Sequence, residues 1–217
     1  MQQNLNKSHY NMIEQQVRPS EVLEPRVLEA LKAVAREKFV SEDLIPLAYA
    51  DTELPIGYGQ TMLSPVIEGR MLQAIDVQPT EGVLEIGTGS GYFTALLAQL
   101  ARQVDTVEII TELSEQAQQK LKGIENIHFH IGDASQGWDL EDRIDVIIAT
   151  AAFVTVPDRY KQALQVGGRM LAAVGTAPMM EMQLIQRISE REWQIEAVFE
   201  TVIPPMINAE PKAEFRF

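Results

Sequence analysis

From residue 82 onward, short apolar runs alternate with amphipathic stretches. The runs are 83–86, 104–109, 127–131, 144–149 and 169–174, and between them 92–101, 113–121 and 158–164 can each form a helix. Runs this short, separated by helical segments, predict a parallel sheet with helices on both faces. Two later strand-like runs, 182–188 and 193–202, are separated by a polar turn and predict a closing antiparallel hairpin. Before residue 80 the rhythm is helical. Residues 6–17 and 25–34 repeat apolar positions every three or four places, and Pro19, Pro25 and Pro46 punctuate them. A stretch rich in turn formers, 54–60, is expected to be a loop, and 65–75 a helix with Pro65 in its first turn. The expectation is one domain over 1–217. A helical N-terminal arm covers 1–78, and a doubly wound, mostly parallel α/β sheet ending in an antiparallel hairpin covers 79–217.

Composition narrows the chemistry. The chain has no cysteine, which excludes disulfides, thiolate metal sites and a cysteine nucleophile. Eighteen basic against 31 acidic residues leave a net charge of −13, a surface that repels phosphate backbones and argues against nucleic acid as partner. No apolar run approaches the ~18 residues of a membrane span, and the N-terminus lacks the apolar core of a secretory signal. A cytoplasmic protein is expected. His9, His128 and His130 read as structural, the last two alternating along a strand, so neither a histidine base nor a metal set is expected. Trp138 and Trp193 read as packing anchors, and Met179, Met180 and Met182 as core or rim filling.

The informative segment is Val83-Leu84-Glu85-Ile86-Gly87-Thr88-Gly89-Ser90-Gly91, a buried strand running through alternating glycines into the helix that opens at Tyr92. Glycines there permit a sharp turn and close approach of a ligand to the backbone. A dinucleotide site wants Gly-x-Gly-x-x-Gly with pyrophosphate at the helix N-terminus. Here the spacing is Gly-x-Gly-x-Gly, and Glu85 precedes the first glycine by two. A carboxylate there repels pyrophosphate but suits a cationic amino group, which favours S-adenosyl-L-methionine over NAD. Glu108 ends the next strand, about 20 residues on, where an acid can hold ribose hydroxyls. Gly132-Asp133 ends the following strand, where a carboxylate can accept from an adenine amino group. With Glu85, the candidate cofactor residues are Gly87, Thr88, Gly89, Ser90, Glu108, Ile109, Gly132 and Asp133. Tyr58 and Tyr92 are expected to flank the pocket.

These motifs and several others resemble the protein-L-isoaspartate (D-aspartate) O-methyltransferase family. The likeness runs in order over about 10–175. It takes in Met12-Ile13-Glu14-Gln15-Gln16, Arg26 to Ala30, Lys38-Phe39-Val40, Leu47-Ala48-Tyr49 and Leu54 to Thr61. It continues through the glycine loop, Thr106 to Ile109, Gly132-Asp133, Asp145 to Ala152 and Gly167-Gly168-Arg169. Of these, Pro55-Ile56-Gly57-Tyr58-Gly59-Gln60-Thr61 is the most particular to the family. The resemblance implies a Rossmann-like class I S-adenosylmethionine-dependent fold. It also implies methylation of the free carboxylate of isoaspartyl (or D-aspartyl) residues in damaged proteins or peptides. It adds Thr150 to the cofactor rim and makes Gly59, Gln60 and Leu63 the acceptor side. The family's Gly-Gln-Thr normally continues Ile-Ser, with the serine beside the transferring methyl. Here Leu63 occupies that place and Ser64 falls one later, so Thr61 and Ser64 are the candidate catalytic hydroxyls. Residues 203–217 also depart from the usual family ending. Two readings stay open: an isoaspartyl repair enzyme with a rearranged loop, or a relative that binds the same cofactor but methylates another acceptor or has lost repair activity.

Overall fold

The computed structural model describes residues 2–139 and 142–209. The chain begins with helix α1 (Gln2–Asn11), which widens into a π-helical segment (Met12–Val17), followed by α2 (Pro25–Ala33). Pro25 and Pro65 each occupy a first-turn position, where the missing N–H costs nothing, in α2 and in α3 (Pro65–Ile75). The stretch 54–60, expected to be a loop, is instead most of a small hairpin of β1 (Leu54–Gly57) and β2 (Gln60–Met62). Its reversal runs through positive φ at Gly57, Tyr58 and Gly59. The density of turn formers marked the bend and hid the two short strands beside it.

The remaining strands are β3 (Gly82–Ile86), β4 (Gln103–Glu108), β5 (Ile127–Ile131), β6 (Ile144–Ala149), β7 (Leu164–Thr176), β8 (Met179–Ser189) and β9 (Glu192–Glu200). Between them lie α4 (Tyr92–Leu100), α5 (Thr111–Lys120) and α6 (Asp158–Ala163). The strands form one sheet in the order β5-β4-β3-β6-β7-β8-β9. Pairing is parallel from β5 through β7 and antiparallel at β7–β8 and β8–β9. The closing hairpin of the expectation is present, and β7 extends it into a three-stranded meander. β7 also runs well beyond 169–174, because Gly167 and Gly168 carry it across a bulge against β6 that breaks the apolar pattern.

β3 is buried along its whole length, as a central parallel strand covered on both faces must be. Alternate side chains feed two cores. Val83, Val104 and Ile148 pack with α4 and the N-terminal segments, while Leu84, Val107 and Ile147 pack with Tyr160 of α6. The chain winds from β3 outward through β4 to β5, then returns to the other side of β3 as β6. The carboxyl ends of β3, β4 and β6 therefore frame a topological switch point, where open α/β sheets bind their ligands. Among the described residues no helix is long and apolar enough to cross a membrane.

Candidate active site

An open cleft lies at that switch point. Its walls include Gln60, Thr61, Gly87, Gly89, Glu108, Ile109, Gly132, Asp133 and Thr150, so the structure gathers residues predicted from five separate segments. A smaller cavity adjoins it, bounded by Thr61, Met62, Leu63, Glu68, Phe93, Thr150 and residues 87–90. Gly59 stands at the outer rim, facing the segment 204–208.

The glycine loop is built for close approach. Gly87 has φ +98°, and a Cβ there would lie 2.4 Å from Thr150 Oγ1. The Thr150 hydroxyl itself reaches the Gly87 carbonyl at 2.7 Å, pinning the loop to the end of β6. Gly89 has φ +52°, and a Cβ there would come within 3.2 Å of Ile56 across the mouth of the cleft. The third glycine has a different use: a Cβ at Gly91 would press on Ala117 of α5 at 3.0 Å, so it serves helix packing. Ser90, just ahead of the Gly91 N-cap, accepts from the Tyr92 amide on its hydroxyl at 3.2 Å.

The carboxylates divide in role. Glu108 lines the cleft and accepts from the Gly89 amide at 2.9 Å on one oxygen and from the Ile110 amide at 3.0 Å on the other. Asp133 accepts from the Ser135 amide at 2.9 Å and from Asn208 Nδ2 at 2.8 Å. The backbone donor at Ser135, with Asn208, holds its carboxyl below the usual range. Glu85, expected to face a cationic ligand, is instead fully buried beneath the loop and is not part of either cavity wall. One of its oxygens accepts from the hydroxyls of Thr94 at 2.5 Å and Thr106 at 2.6 Å, and Thr106 in turn meets Thr88 at 2.7 Å. The other oxygen has no hydrogen-bond partner among the described residues. The reason is register: Glu85 pairs with Thr106 across β3 and β4, so its side chain points into the sheet's face before the strand ends.

Burial pushes the Glu85 carboxyl up to about 8. The folded protein therefore keeps a proton that the unfolded chain releases near the ordinary value of 4.5. The resulting contribution to stability is complete below that ordinary value and is lost as pH rises through 8. Thermal melts should accordingly show Tm declining between about pH 5 and about pH 9, with Glu85→Gln removing a large part of the slope. An undiminished slope in the variant would assign it to other groups.

On the acceptor side, Thr61 donates to Glu53 at 2.9 Å. Leu63 is buried in the core, and its carbonyl accepts from Arg36. Ser64 is the N-cap residue of α3, makes no side-chain cap bond, and is not part of either cavity wall. Tyr92 is fully buried against Arg36 and Phe39 and does not reach the cleft; Tyr58 is exposed at the hairpin tip. Sequence reasoning missed the wall formed by Pro204, Pro205, Met206 and Ile207. This segment is stitched to the stretch just after β6, the Ala152 amide donating to the Pro204 carbonyl and the Met206 amide to the Ala152 carbonyl, each at 2.8 Å. Only its two consecutive prolines hinted at an extended path. Of the divergent ending, 210–217 lie outside the described residues.

Fold and cleft together define a Rossmann-like class I methyltransferase. The chain belongs to the protein-L-isoaspartate(D-aspartate) O-methyltransferase family, whose model matches residues 7–210. It is 40% identical over 208 residues to a protein-L-isoaspartate O-methyltransferase of Brucella anthropi, covering 94% of this chain and 95% of that one. A Picosynechococcus relative of the same name is 46% identical over 167 residues, 76% of this chain and 75% of the relative. A Plasmodium falciparum structure described under that enzyme name, in complex with S-adenosyl-L-homocysteine, superposes with a TM-score of 0.80 over 91% of this chain and 97% of its own. At 18% identity that likeness speaks for the fold.

Proposed function

We propose that this protein transfers a methyl group from S-adenosyl-L-methionine to the free carboxylate of isoaspartyl (or D-aspartyl) residues in damaged proteins, in the cytoplasm. The observation that carries the reading is that the glycine loop and the acceptor segment share one cavity, with Thr61 and Leu63 facing residues 87–90. The cleft suits the cofactor on its own chemistry. Its floor is a backbone cradle that a side chain at residue 89 would obstruct, and two carboxylates stand at successive strand ends. Gly87, Thr88, Gly89 and Ser90 would hold the cofactor's amino-acid end, Glu108 and Ile109 its ribose, Gly132 and Asp133 its base, and Thr150 the rim. Glu85 supports the loop from behind through Thr106 and Thr88 rather than touching the ligand.

When bound, S-adenosyl-L-methionine supplies an electrophilic methyl on a sulfonium. The acceptor carboxylate is already ionised at neutral pH, so the chain needs no strong base, and its task is to align and to exclude water. Gly59 and Gln60 would guide the polypeptide, with the wall at 204–207 opposite. Thr61 keeps two lone pairs while donating to Glu53, and rotation of its hydroxyl would let it donate to the acceptor instead. Leu63 leaves the neighbouring surface apolar, and Ser64 could contribute only if the segment before α3 shifted.

Methyl transfer from labelled S-adenosyl-L-methionine to an isoaspartyl peptide, with its aspartyl counterpart as control, tests this directly. Selective labelling of the isoaspartyl peptide is expected. Cofactor binding without any such labelling would overturn the acceptor assignment.

A further inference from the structure

The loop that carries the acceptor residues is held from beneath by a buried ion pair. Arg36, in the turn after α2, is fully buried. One guanidinium nitrogen donates to Glu68 in the first turn of α3, and another donates to the carbonyl of Leu63. The guanidinium also lies over the ring of Tyr92, 4.8 Å from its centroid, at the start of the helix that follows the glycine loop. Glu68 is 2% exposed, and its backbone amide donates to the Ser64 carbonyl at 3.0 Å. It forms part of the wall of the same small cavity as Thr61, Leu63 and the glycine loop.

Stability alone is a poor reason for such a pair. Each desolvated charge costs several kcal/mol, and well-packed apolar residues of similar volume commonly do as well or better. An apolar pair lacks the ability of a planar guanidinium to grip a carboxylate and a carbonyl together in fixed directions. Here the carbonyl belongs to the segment facing the glycine loop, the carboxylate to the first turn of α3 in the wall of the same cavity, and the stacked ring to the helix that opens directly after that loop.

We propose that Arg36 and Glu68 are positioning residues for methyl transfer, a buried ion pair that fixes the Leu63 carbonyl and thereby the placement of residues 60–64 against the glycine loop. The proposal rests on the methyl-transfer reading for its kinetic consequence but not for its structural one. Arg36→Lys keeps the charge and loses the fork, so backbone amides of 60–64 should exchange faster with deuterium in the full-length protein without any ligand. On the isoaspartyl peptide, kcat should fall about tenfold to 100-fold, the scale of a small misplacement of reacting groups, while the dissociation constant for S-adenosyl-L-methionine stays within about twofold.

The paired substitution Arg36→Met with Glu68→Met separates positioning from stability. It removes both charges, so Tm should return close to that of the parent, whereas exchange at 60–64 should stay fast and kcat low. Should kcat recover together with Tm, or should exchange at 60–64 match the parent in both variants, the pair is structural only and the proposal is overturned. If the parent protein itself fails to methylate isoaspartyl peptide, the functional reading falls, and the exchange measurement still decides the role of the pair.

Discussion

Gly89→Val abolishes measurable binding of S-adenosyl-L-methionine in calorimetry, an affinity loss of more than about 100-fold, or roughly 2.7 kcal/mol. Two effects meet at this position and can be told apart. A β-branched residue at φ +52° carries left-handed strain, about 1–2 kcal/mol. That strain is present with and without ligand, so it lowers Tm without changing affinity. The affinity loss comes from the side chain itself, which would grow from a Cβ only 3.2 Å from Ile56 and close the gap between the loop and the hairpin wall. Gly123→Ala supplies the control. Gly123 also has positive φ, at +97°, but nothing lies within 4 Å of its Cβ position and it is not part of the cleft wall. It should lose stability by a similar strain and keep full affinity. Retained binding by Gly89→Val would remove the glycine loop from the cofactor site.

The sheet was largely legible in the sequence because buried parallel strands are short, apolar and separated by helices of ordinary length. 127–131 and 144–149 coincide with β5 and β6, and 83–86 falls one residue short of β3. What escaped reading depends on contacts between distant segments. β7 crosses a bulge at a glycine pair, and the hairpin 54–62 owes its strands to mutual pairing rather than to apolar alternation. The site was legible in its backbone features and less so in its side chains. Glycine spacing marked the loop, and the strand-end positions of Glu108 and Asp133 marked the cleft wall. Spacing could not tell that Glu85 points beneath the loop, because the face a strand residue takes depends on the register with its neighbour. Nor could it give the Arg36–Glu68 pair, joined across 32 residues by packing of the N-terminal segment on α3. The same limit hid the wall at 204–207, which exists only because that segment pairs with residue 152 after the whole sheet has been crossed.

Glu108→Ala is expected to weaken S-adenosyl-L-methionine binding by about 100-fold, more than a single lost contact would give. Under the proposed assignment the carboxylate has two tasks. It accepts from the Gly89 and Ile110 amides at 2.9 and 3.0 Å, charge-assisted bonds of the class worth about 1.5–3 kcal/mol. Each oxygen has acceptor capacity beyond its one amide partner, and the side chain lines the cleft where ribose hydroxyls would lie. Removing it frees the loop at Gly89 and, on that assignment, takes away the ribose partner as well. A cofactor analogue lacking the ribose 2′-hydroxyl separates the two. Against the parent protein the analogue should bind roughly tenfold more weakly than S-adenosyl-L-methionine, the cost of leaving a buried acceptor unmet. Against Glu108→Ala the two ligands should bind equally, since the partner of the missing hydroxyl is already gone and the two losses are not additive. Glu108→Gln should fall between, because its amide retains one acceptor oxygen and turns a donor toward one of the two backbone amides. Equal discrimination by parent and Glu108→Ala would mean that Glu108 serves the loop alone and that the ribose is held elsewhere in the cleft.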